Sequence, residues 1–286
     1  MIFIKAILLG VVQGLSEFLP ISSAGHVALV GDLLDVTPDI WFLTMLHLGT
    51  LGAVVLYFRE EIVRCIRSLT KLITDAGHNL GHTVKYSAHT KEKERKKLLS
   101  NDYRNFSVLL LFAMLPTVFV CAVLARAAGM IISNMLCVAV GFFMTALILY
   151  VASFTGRNAK RPRDAKAADA LVIGAFQGMA VFPGVSRFAV TYSAGLYRGF
   201  SKKFAKLFSF MLLIPTVIGA VIFEAASGLA STSMGIGPAV CAAATSFVVG
   251  FFTIRFAMKL VRKTSVKVFS IYCLILGAAS VFVYLR

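Results

Sequence analysis

Charge is scarce in this chain. Only 15% of its 286 residues are charged and 58% are hydrophobic, whereas soluble domains carry about a quarter charged residues. With a mean hydropathy of +0.84, this excludes an ordinary soluble protein and leaves a polytopic membrane protein. Paired cysteines are missing too. Cys65, Cys121, Cys137, Cys241 and Cys273 are scattered, with no CxxC and no Cys/His cluster, so neither zinc nor a disulfide framework is expected and the thiols read as small packing groups. The opening Met-Ile-Phe-Ile-Lys lacks a basic n-region and a small-residue cleavage site, so no removable signal peptide is expected. Acidic residues number 13 against 29 Lys and Arg. In a soluble domain a balance of +16 would suggest nucleic acid; here the basic residues sit between apolar runs, the pattern of cytoplasmic loop charge.

The apolar runs organise the chain. Residues 3–30 are apolar but broken at Gly14, Pro20 and Gly25, and neither half has the roughly 20 residues a spanning helix needs. They predict a re-entrant pair of half-helices. After the acidic turn with Asp32, Asp35 and Asp39, a span is predicted from Ile40 to Phe58, bracketed by Trp41 and Tyr57 as belt residues. Residues 59–105 read as one extended polar, basic loop. Its His78, His82 and His89 share one side of a helix if one forms, yet no carboxylate pattern accompanies them, and a solvated loop is the expected reading. Spans are predicted at Phe106–Arg126 and Leu136–Phe154, then a second broken segment over 170–197 interrupted at Pro183 and Gly184, then spans near Phe204–Ala226, Gly237–Met258 and Val268–Tyr284. Glu224 is expected at the interface.

Segments 59–105, 155–168, 198–206 and 255–267 hold 25 of the 29 Lys and Arg. Placing them in the cytoplasm makes the spans alternate without conflict. The first hairpin then enters from outside and the second from the cytoplasm. The expected fold is an all-α membrane protein, a single domain over 1–286 made of inverted repeats 1–155 and 156–286, each one re-entrant helical hairpin plus three spans. Broken helices of this kind meet near the midplane with their positive ends toward an anionic ligand. A plain eight-helix bundle with two tight turns is the alternative.

The two breaks are also where the chemistry lies. Gln13-Gly-Leu-Ser-Glu-Phe-Leu-Pro-Ile-Ser-Ser-Ala-Gly-His26 puts a carboxylate, hydroxyls and an imidazole at membrane depth, and Gln177-Gly-Met-Ala-Val-Phe-Pro-Gly-Val-Ser-Arg-Phe-Ala-Val-Thr191 repeats its outline. Ionisable groups there are costly and mark function. Ser22 and Ser23 are N-cap types for a half-helix whose free N–H groups suit phosphate oxygens. His26, one turn beyond Ser23, is expected to face the same cavity, and Gln13 shares a face with Glu17. Ser186 and Arg187 hold the equivalent start in the second hairpin, with Thr191 on the Arg187 side. The planar fork of Arg suits an oxyanion clamp. Hydrolysis of a phosphoanhydride would use such a set, with Glu17 as metal ligand or general base. A buried Glu17–Arg187 ion pair and a packing role for His26 are the quieter explanations.

Both motifs, together with His47-Leu-Gly-Thr-Leu51, resemble the undecaprenyl pyrophosphate phosphatase family of bacitracin-resistance type, over nearly the whole chain. The resemblance implies a membrane phosphatase that converts a polyprenyl diphosphate to the monophosphate and recycles the lipid carrier of envelope glycans. It implies a site open to the outer face and a divalent cation, Mg or Ca, on Glu17 and Gln13. Glu17, Ser23, His26 and Arg187 match catalytic positions, and Ser22, Gly184, Ser186 and Thr191 are expected to bind substrate. Whether Ser23, His26 or water attacks stays open. Partners would be the lipid substrate and membrane lipids, with a homodimer as an assembly open to it. The chain departs from the family pattern at Gln13, usually Glu, at Leu43, often acidic, and at Phe188 and Ala189, usually Ser and Gly. Fewer carboxylates weaken metal binding; Gln13 keeps a carbonyl oxygen for coordination, and Phe188 has lipid as one direction to face. A non-catalytic carrier of phosphorylated lipid is the competing function.

Overall fold

A computed structural model describes residues 1–85, 101–131, 134–155, 159–226, 228 and 232–286, with side chains omitted over 80–85 and 125–131. His89 and the basic run 91–97 lie outside the described residues, as does the side chain of His82. Among the described residues there are eleven α-helices and no β-strand: α1 (Ile2–Ser16), α2 (Ser23–Leu33), α3 (Ile40–Tyr57), α4 (Arg59–Lys85), α5 (Asp102–Ile131), α6 (Met135–Ala152), α7 (Ala167–Gly178), α8 (Arg187–Tyr197), α9 (Lys202–Ala226), α10 (Ile236–Lys263) and α11 (Val266–Leu285). Six of them, α3, α5, α6, α9, α10 and α11, are long and apolar enough to cross a membrane; α1 and α7 are apolar but shorter.

The first hairpin turns at residues 17–22. Helix α1 runs through Gly14, and Pro20 lies in the turn, where its ring and missing N–H are tolerated. Ser22 then takes a left-handed backbone (φ 66°) and its Oγ accepts from the Gly25 N–H at 3.2 Å, capping α2. Gly25 sits inside α2 with the Phe142 ring against its Cα, so it packs the helix and does not break it. In the second hairpin a 3-10 turn and Pro183-Gly184 end α7, and Ser186 Oγ caps α8 by accepting from the Ala189 N–H at 3.2 Å. Both breaks follow the Pro and Ser positions. Within lipid, helices associate through close packing at small residues. Helix α1 packs against α10 and α7 against α5; a Cβ on Gly10 or Gly174 would collide with backbone of the facing helix.

The segment expected to be one polar loop carries α4 instead. Ile62, Cys65, the Ser68-Leu69 pair and Leu72 recur every three or four residues and form the face turned toward α5, with Cys65 and Ser68 buried. Arg104 Nη2 donates to Asp75 Oδ2 at 2.7 Å across the same junction. Charges on the outer face of α4 hide this period in the sequence. Glu224, expected at the interface, is buried and accepts from Thr44 Oγ1 at 2.7 Å, because α3 packs on the end of α9 that carries it. Aromatic rings fill the core between α5, α8 and α9: Phe106, Phe200, Phe204 and Phe208 form one connected cluster, and Phe210 packs with Phe18, Phe58 and Phe188 in a second.

Candidate active site

The turn of the first hairpin and the start of α8 come together around a cavity of about 380 Å³. Glu17, Ser22, Ser23, His47, Ser186 and Arg187 line its polar part. Glu17 ends α1 and its side chain is 5% exposed. Its carboxylate gathers donors from both hairpins, and the His47 ring of α3 stands beside it. Arg187 donates to Oε1, and Ser23 Oγ donates to Oε2. Gln13 Nε2, one turn back on α1, donates to Oε2 at 2.9 Å, and His47 Nε2 stands 3.5 Å from that oxygen. Arg187, the first residue of α8, is 16% exposed on its side chain. Removing one partner of such a pair strands the other charge away from water.

His47 carries no predicted role. Its Nδ1 lies 2.7 Å from the Leu43 carbonyl oxygen, which fixes the ring with Nε2 toward Glu17. Two signals pointed to it: an ionisable residue inside an otherwise apolar span, and its place at the head of the His47-Leu-Gly-Thr-Leu51 stretch that shares in the family resemblance. Gln177 opens the second motif, as Gln13 opens the first, and it lines the cavity. Its Nε2 donates to Thr216 Oγ1 at 2.8 Å and Thr117 Oγ1 at 3.3 Å. Both hydroxyls donate to backbone carbonyls. The two threonines carry no motif that reveals them.

Other predicted residues lie elsewhere. His26 does not line the cavity: Nδ1 lies 2.7 Å from the Ser22 carbonyl oxygen, Nε2 2.8 Å from the Tyr272 hydroxyl, and the ring stacks on Tyr272 of α11. Three helical residues turn through about 300°, so His26 is offset by roughly 60° from Ser23, and that offset carries it past Phe142 to α11. Thr191 is buried, and its hydroxyl donates to the Arg187 carbonyl at 2.8 Å, a bond back along the helix that Thr readily makes. Gly184 is absent from the lining; at φ +82° it presses on α6, where a Cβ would strike the Val138 carbonyl. Phe188 does not face lipid. It lines the cavity and packs on Phe210, ring centroids 4.7 Å apart, because α9 closes over α8. Leu43, one of the noted departures, also lines the cavity.

A divalent cation prefers several charged oxygen ligands. Both oxygens of Glu17 are occupied by protein donors. Gln13 Oε1 is buried without a partner, but it is a neutral oxygen. Asp32 and Asp35 line the same cavity. Even so, the described residues contain no group of three or more His, Cys, Asp or Glu placed to hold a metal ion. The donor set does not fit a protein-held divalent cation.

The family described as bacitracin resistance protein BacA matches residues 6–279. The chain belongs to this family. Similar proteins include the "Undecaprenyl-diphosphatase" of Methanosphaera stadtmanae, 32% identical over 278 residues that cover 97% of this chain and 96% of the relative. That of Alkaliphilus metalliredigens is 32% identical, covering 96% of each chain. A third, from Korarchaeum cryptofilum, is 31% identical, covering 96% of this chain and 97% of the relative. The family match includes both hairpins and every helix that touches the cavity.

Proposed function

We propose that this member of the family is an integral membrane phosphatase that hydrolyses undecaprenyl diphosphate to the monophosphate and inorganic phosphate, returning the lipid carrier to cell-envelope glycan synthesis. The observation that carries the reading is the meeting of Ser23, Glu17 and Arg187 from two hairpins in one cavity. A nucleophile, a base in contact with it and a cation for the phosphoryl oxygens are what the reaction needs. In this reading Ser23 Oγ attacks the terminal phosphorus and its proton passes to Glu17. The bridging P–O bond breaks and the polyprenyl monophosphate leaves. Water then hydrolyses the phosphoserine, releasing phosphate and freeing Ser23. Arg187, with the N–H groups that open α2 and α8, offsets charge on the transferred oxygens. Apolar lining by Leu19, Ala28, Leu43 and Met135 suits the isoprenoid next to the phosphates.

The proposal extends to topology. Repeats 1–155 and 156–286 read as inverted copies: each begins with a short hairpin, and α1 seats on α10 as α7 seats on α5. Among the described residues three candidate spans separate the hairpins, an odd number, and on that count the two enter from opposite leaflets. With the basic segments cytoplasmic, the site opens outward. The test is phosphate release from undecaprenyl diphosphate by purified protein, with Glu17→Ala and Arg187→Ala abolishing it. Headgroup transfer across liposomes without phosphate release would overturn the reading.

A further inference from the structure

The polar cluster around Glu17 is already balanced in charge. Glu17 contributes one negative charge and Arg187 one positive, and they touch. Gln13, fully buried directly behind them, is neutral. Its orientation is decided by chemistry: a carboxylate oxygen accepts only, so the amide nitrogen faces Glu17 Oε2 and the amide oxygen points away without a partner. A carboxylate in that position would crowd a second negative charge against Glu17, and two such groups stay ionised together only with a cation between them. With the amide there, no such demand exists, and an incoming divalent ion would have to displace Ser23, Gln13 or Arg187 from Glu17 to bind.

We propose that this site works without a protein-bound divalent cation, the amide N–H of Gln13 taking the place on the Glu17 carboxylate that a metal would otherwise take. The inference rests on the phosphatase reading above for its consequence in turnover, and on the donor set alone for its consequence in binding. Arg187 and the starts of α2 and α8 then carry the whole load of offsetting phosphate charge. Gln13 acts as a positioning residue: it touches Glu17 and leaves the reacting atoms to Ser23 and Arg187.

The experiment compares full-length wild type with Gln13→Glu in two assays. In the first, phosphate release from undecaprenyl diphosphate is measured in EDTA and in excess Mg or Ca. Wild-type rates should agree within about twofold, while Gln13→Glu should lose about tenfold or more in EDTA and recover with metal. In the second, Mn(II) is titrated in detergent without substrate and followed by its paramagnetic resonance signal. Wild type should show no saturable site removed by Glu17→Gln, whereas Gln13→Glu should gain one. A wild-type rate that collapses in EDTA and returns with metal would overturn the inference, as would a Glu17-dependent Mn(II) site in wild type. A folded Gln13→Glu that gains neither metal dependence nor Mn(II) would remove the role given to Gln13. If wild type releases no phosphate under any condition, the functional reading fails, and the Mn(II) titration still decides the inference.

Discussion

Arg187 Nη2 donates to Glu17 Oε1 across 170 residues of chain. The contact joins the residue that caps the end of α1 to the first residue of α8 and makes one site from two separate hairpins. Truncating either residue to Ala strands a buried charge, so a loss of about 3–5 kcal/mol in folding stability is expected. Reversible unfolding in mixed micelles measures it. Arg187→Lys keeps the charge but lacks the planar fork; phosphate release should fall about tenfold or more while the protein stays folded. Full activity in Arg187→Lys would remove the clamp role.

His47 is held by the Leu43 carbonyl with Nε2 toward Glu17. Replacing it by Leu should let the Glu17 carboxylate shift, lower phosphate release by about a hundredfold and leave the unfolding midpoint close to wild type, since the ring borders the cavity and is only half-buried. Comparing rate and midpoint for the one variant separates chemistry from folding.

Thr145 of α6 ties down the turn that presents Arg187. Its hydroxyl donates to the Gly184 carbonyl and accepts from the Ser186 N–H, each at 3.0 Å. Thr145→Val deletes both bonds in a buried place, for an expected cost of about 1–3 kcal/mol, and should weaken substrate binding as the start of α8 loosens. Calorimetry together with KM reads both effects.

Asp169 at the start of α7 gives a pH dependence. Burial pushes its carboxyl up, but the Lys166 N–H, Arg198 and Lys160 outweigh burial and hold it below its ordinary value of 3.8. Arg198 Nε donates to it at 2.7 Å. A depressed folded-state value contributes stability that is present above the unfolded value and is lost as pH falls through the folded one. Wild type should therefore lose unfolding stability on acidification below about pH 4 more steeply than Asp169→Asn. Parallel curves for the two proteins would contradict this role.

The breaks in the two hairpins were legible because Pro20, Pro183 and the capping serines impose their geometry locally. The pairing of Glu17 with Arg187 was legible because no apolar segment leaves two such charges apart. What stayed hidden depends on which way a helix face turns. In lipid, both the outside and the core of a helix bundle are apolar, so nothing in the sequence showed that Phe188 packs on Phe210 or that His26 reaches Tyr272. The His47 stretch was noted, but its contact with Glu17 was hidden for the same reason, since α3 had to be rotated before the imidazole met the carboxylate. In α4 the charges on one face masked the regular spacing on the other.

Each hairpin leans on helices made elsewhere in the chain. Helix α1 packs most extensively on α10, and the turn before α8 is pinned by α6. During synthesis the first hairpin is therefore without its main seat until Ile236–Lys263 has left the ribosome. The cavity that joins Glu17 to Arg187 is among the last features to mature, so a prematurely ended chain would insert into the bilayer without it.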